Sequence, residues 1–107
     1  MNNVITPQSV VSMVVHPNGI QGLVYVEPGG TVRWATESTA YPNFVIEFDG
    51  PSPAAAGSIL TGTIDSPAVV VFNMKEDVYS YNVVYHKADG ETKITGPFAV
   101  RSCRICG

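Results

Sequence analysis

This chain is short of charge, of long apolar runs and of any sustained helical period, and each shortage closes off a class of function. Charged residues make up 14% of its 107 positions and the net charge is −3. Arg33, Arg101 and Arg104 are scattered and no polybasic run exists. Nothing therefore attracts a phosphate backbone over long range, and nucleic acid is not an expected partner. No stretch approaches the ~20 apolar residues needed to span a bilayer, so no membrane segment is expected. Met1-Asn2-Asn3-Val4-Ile5-Thr6-Pro7 has neither the positive n-region nor the apolar h-region of a signal peptide. The expectation is a cytoplasmic protein, or an exported one if a leader was trimmed away.

Catalytic signatures are equally sparse. No serine sits in a nucleophile-elbow motif. No glycine-rich loop precedes a helix, which removes the phosphate cradle at a helix N-terminus. Glu47 with Asp49, and Glu76 with Asp77, are the carboxylate pairs close enough for acid–base work. A polar outer strand face accounts for the first pair and a solvated turn for the second. The reading is therefore not an enzyme.

What the chain does have is turn chemistry. Ten Gly and eight Pro in a 45% hydrophobic sequence favour short strands joined by turns. Alternating and β-branched runs recur over 10–15, 22–26, 31–36, 44–48, 58–64, 69–73, 78–86 and 91–100, spacing that suits an all-β sandwich or barrel. His16-Pro17-Asn18-Gly19, Glu27-Pro28-Gly29-Gly30 and Ala88-Asp89-Gly90 read as the turns between them. The best helical candidate is a single turn near Pro53-Ala54-Ala55-Ala56, stopped by Gly57. One domain over 1–100 follows, with a tail over 101–107. Along the strand from Val78, strict alternation puts Tyr79, Tyr81, Val83 and Tyr85 on one face and Val78, Ser80, Asn82, Val84 and His86 on the other. The aromatic face reads as core rather than as a stacking platform for a sugar or base, and Trp34 with Val32 joins it.

Three blocks in order carry a resemblance. Val24-Tyr25-Val26-Glu27-Pro28-Gly29-Gly30-Thr31-Val32-Arg33-Trp34 is similar to a strand, Pro-Gly-Asp turn and Thr-Val-x-Trp/Phe strand. Tyr41-Pro42-Asn43-Phe44-Val45-Ile46-Glu47-Phe48-Asp49 is similar to a Pro-His-Asn segment that carries a first copper histidine. The run from Tyr79 to His86 resembles the strand written Tyr-x-Tyr/Phe-x-Cys-x-x-His. Together, over roughly residues 10 to 100, they resemble the cupredoxins. The resemblance implies a Greek-key β-sandwich of about seven to eight strands.

It also implies a copper site that the residues do not fill. The first histidine slot holds Asn43 or Phe44, the cysteine slot holds Val83, and the axial methionine slot falls near Glu91. His86 alone stands where a ligand is expected. A blue-copper centre needs its thiolate, so the resemblance implies the scaffold without type 1 copper. What remains is a binding or interaction module using Tyr41, Asn43 and His86 at one pole, with no cofactor, and with a protein partner or a second copy as the expected occupant. The alternative rests on Cys103-Arg104-Ile105-Cys106, whose spacing suits zinc, copper or a redox dithiol. Flanking Arg101 and Arg104 favour the thiolate there, and His86 or His16 could add a ligand. An incidental disulfide is the plainer outcome.

Overall fold

A computed structural model describes residues 6–54 and 57–106. Residues 1–5, and Ala55 and Ala56 of the expected helical turn, lie outside the described residues. Among the described residues there are seven strands and no helix, hence no helix long and apolar enough to cross a membrane. The strands are β1 (Gln8–Val15), β2 (Val24–Thr36), β3 (Asn43–Asp49), β4 (Ile59–Thr63), β5 (Ala68–Val71), β6 (Asp77–His86) and β7 (Thr92–Ser102). They form one curled sheet in the order β1-β2-β7-β6-β3-β4, with β5 paired to β2. The β1–β2 and β2–β7 pairings are parallel; the rest are antiparallel.

Two of the eight expected strands are one. Glu27-Pro28-Gly29-Gly30 does not separate them as a turn but bulges out of a continuous β2. Two steps along β1, from Gln8 to Val10, answer to five along β2, from Val26 to Thr31. The bulge lets β2 serve two neighbours: residues 24–26 pair with β7 and residues 31–34 with β5. Gly29 adopts a φ of 80°, which costs glycine little. The loop after β5 stitches it down, since Gly29 N–H donates to Asn73 O and Phe72 N–H donates to Gly30 O. The other two turns form as expected, with Gly19 N–H donating to His16 O and Lys87 N–H to Glu91 O.

The core follows from the alternation. Tyr79, Tyr81, Val83 and Tyr85 on β6, Phe44, Ile46 and Phe48 on β3, and Val32 and Trp34 on β2 are all buried. Trp34 meets Tyr81 edge-on with centroids 5.5 Å apart, and Phe48 lies 6.0 Å from Trp34 and 5.8 Å from Tyr81. Such edge-to-face pairs add to the area term. The boundary drawn after residue 100 falls inside β7, which continues through Ser102; Cys103 and Cys106 are themselves buried.

Candidate functional site

The outer face of β3 and β6 is the complement of the core. Burying Phe44, Ile46 and Phe48 turns Asn43, Val45, Glu47 and Asp49 outward. Burying the β6 tyrosines does the same for Asn82, Val84 and His86. Register then places Asn43 directly opposite His86. The same row continues to Thr63 on β4 and Thr92 on β7. Directly opposed residues share a face, so Thr63, Asn43, His86 and Thr92 form one polar row across four strands.

Tyr41 reaches this end from the loop before β3. Its N–H donates to Ser38 Oγ at 3.3 Å, and Ser38 N–H donates to Thr36 Oγ1 at 3.2 Å. Its ring stands edge-on to Tyr85 at 6.1 Å, and Lys87 Nζ lies 5.3 Å from the ring centroid. A cation over a tyrosine face is attracted by the ring quadrupole. Lys87 also pairs with Glu91 at 3.3 Å, and this hydrogen bond and its charge raise the ammonium's pKa. Burial raises the pKa of the Tyr85 phenol. The structure thus gathers Tyr41, Asn43 and His86 at one end, with Tyr41 closing the inner side and the other two on the outer. Thr63, Thr92 and Lys87 belong to the same end. Strand pairing is what reveals them, and spacing along the chain carries no signal for it.

The four positions aligned with copper ligands do not converge. Val83 and His86 sit on one uninterrupted strand three residues apart, so Val83 points into the core and His86 away from it. Asn43 shares the face of His86 and Phe44 does not. Glu91 is exposed and engaged by Lys87. Among the described residues, no three of His, Cys, Asp and Glu gather to hold a metal ion.

Cys103 and Cys106 are joined to each other, with Cα atoms 6.1 Å apart. They lie at the opposite end of the sheet. β6 runs from Asp77, opposite Ser102, to His86, opposite Thr92. Its ten residues span about 30 Å at ~3.3 Å each, so His86 and the cysteine pair cannot share an ion. His16 lies past the far end of β1, exposed, with Nδ1 accepting from Asn18 N–H at 3.1 Å. Neither histidine completes a site with the sulfurs.

Compared with known proteins, the chain matches no family model, no curated protein and no solved structure.

Proposed function

We propose that this protein is a non-enzymatic interaction module on a copper-free, cupredoxin-like Greek-key sandwich, and that it binds a protein partner or a second copy through the end bearing Tyr41, Asn43 and His86. The observation that carries the reading is the register that sets Asn43 against His86 within a row of four polar side chains, beside a tyrosine held between Tyr85 and Lys87. An aromatic anchor flanked by hydrogen-bonding groups of both kinds suits protein recognition, where tyrosine supplies contact area at small entropic cost. Packing of Trp34 from β2 across Phe48 and Tyr81 supports two layers of strands. The buried Val83 and outward His86 support a scaffold without type 1 copper.

The test compares the wild type with a Tyr41→Ala/His86→Ala double variant and a Val69→Ser control on the outer face of β5. Sedimentation reads self-association and affinity capture reads partners. The double variant is expected to lose the bound species while the control keeps it. Equal binding by all three proteins refutes the assignment.

A further inference from the structure

The sheet ends at β1, whose one strand neighbour among the described residues is β2. An edge strand presents a row of unpaired N–H and C=O groups to the side away from its neighbour. Gln21 Nε2 reaches one carbonyl of β1, donating to Val14 O at 3.4 Å, close to the limit of a hydrogen bond. Edges of this kind are normally blunted by a charge, a proline or a short strand. β1 has none of these. Its eight residues carry no charge and no proline, whereas β4, the edge at the other end of the sheet, has five residues.

The side chains of this edge match their own reverse. A two-fold axis through Ser12, perpendicular to the sheet, sets β1 antiparallel to the β1 of a second copy. Val10 then faces Val14 of the second copy, Ser12 faces its own equivalent, and Val11 faces Met13. Opposed residues share a face. Val10 and Val14 are 56% and 55% exposed on the outer face, with exposed Ser12 between them. Val11 and Met13 lie on the inner face, packed against the core and only half-buried. Moving the axis one residue, to Val11 or to Met13, sets a valine against Ser12 and loses the match. Charge does not oppose the pairing. Register places Arg33 of β2 beside Ser12, so the Arg33 residues of two copies stand three strand spacings apart, about 14 Å. That exceeds the screening length of about 8 Å at physiological ionic strength.

We propose that β1 is a self-association edge: two copies of this chain join their β1 strands antiparallel about Ser12, extending one sheet across the dimer. The pairing completes the backbone ladder of β1 and covers Val11 and Met13. Main-chain hydrogen bonds and the opposed valines hold it, as in other strand additions. The contact is isologous, so it closes at two copies and leaves no β1 edge to propagate. None of its residues belongs to the end bearing Tyr41, Asn43 and His86, so the two surfaces are tested apart.

Analytical ultracentrifugation of the full chain over a range of concentrations tests the dimer. Wild type is expected to dimerise and to remain dimeric at ~1 M salt, where the screening length falls to about 3 Å. A monomer at every concentration overturns the proposal. Ser12→Glu sets like charges opposite each other at the axis, yet within one copy it puts a carboxylate beside Arg33. It is expected to weaken the dimer at least about tenfold, with a Tm no lower than wild type when both are dilute enough to be monomeric. Wild-type association of Ser12→Glu overturns the proposal.

Cysteine cross-linking reads the register. Opposed residues of an antiparallel pair have Cα atoms about 4.5–5.5 Å apart, within disulfide reach. Ser12→Cys is therefore expected to cross-link to itself on mild oxidation, and Val10→Cys to cross-link to Val14→Cys when the two are mixed. Val10→Cys alone is not, because its equivalents are offset by four residues, about 13 Å. Equal self-cross-linking of Ser12→Cys and Val10→Cys contradicts the register. The Tyr41→Ala/His86→Ala variant is expected to keep this dimer and lose only what binds at the pole. A dimer lost in that variant and kept by Ser12→Glu lies at the pole instead, and overturns the assignment to β1.

Discussion

Gly62 lies directly opposite Phe44, and the phenyl ring occupies the space that any side chain at residue 62 would need. The two are register partners on β4 and β3, and a Cβ built on Gly62 falls 2.6 Å from Phe44 Cε1. Because Phe44 is buried, its ring has nowhere to retreat. Gly62→Ala is therefore expected to destabilise the fold by about 1–3 kcal/mol, the usual cost of overpacking. Chemical denaturation followed by Trp34 fluorescence measures it. A Phe44→Leu background should relieve part of the cost, since the crowding is with the ring.

Tyr81 is expected to make the fold sensitive to high pH. Its phenol donates to Gln21 Oε1, and burial pushes its pKa up from 10.0 to about 12. The unfolded chain loses this proton near pH 10, and the folded chain holds it to about pH 12. Across that window the unfolded state binds fewer protons, so unfolding becomes easier as pH rises. The contribution is complete below pH 10 and is lost on approaching pH 12, on the order of 2 kcal/mol. Denaturation midpoints across this range should fall steeply in the wild type and less steeply in Tyr81→Phe, which keeps the smaller, same-signed effect of Tyr85.

Phe48 is the junction of the aromatic core, within 6.4 Å of the ring centroids of Trp34, Tyr81 and Phe72. Removing it leaves a cavity lined by rings that are pinned by their own strands. Phe48→Ala is expected to cost roughly 3–5 kcal/mol. Equilibrium unfolding measures this, with the Trp34 emission of the folded variant reporting whether the cavity admits water.

Placing a thiol at residue 83 is not expected to create a copper centre. In Val83→Cys the new thiol points into the core and His86 points out of it. Copper(II) titration of that variant should produce no intense thiolate-to-copper absorption. Such a band would show that β6 can turn the two side chains to one side.

The parts of this protein visible in its sequence are those governed by alternation. The period-two pattern of β6 revealed its core face, Trp34 and Val32 followed by parity, and Asp89-Gly90 marked a hairpin that forms. Glu27-Pro28-Gly29-Gly30 reads as a turn in the sequence because a bulge uses the same residues. What distinguishes the two is whether β2 continues to the same neighbour, a long-range fact. Gly62 carried no signal either, since its reason for being glycine lies on another strand. At the site, Tyr41, Asn43 and His86 were legible as residues, while Thr63, Thr92 and Lys87 emerged only from strand register. The distance between His86 and the cysteine pair was hidden for the same reason: residue separation along a sheet protein says little about which end of a strand a side chain occupies.

The most direct test of the functional account places a benzophenone amino acid at residue 43 and, separately, at residue 69, and irradiates the protein in its native cells. The account predicts a discrete adduct from position 43, of a second copy or of one partner, that disappears when His86→Ala is added. Adducts of similar yield from position 69, or an adduct at 43 that is indifferent to His86, would contradict it.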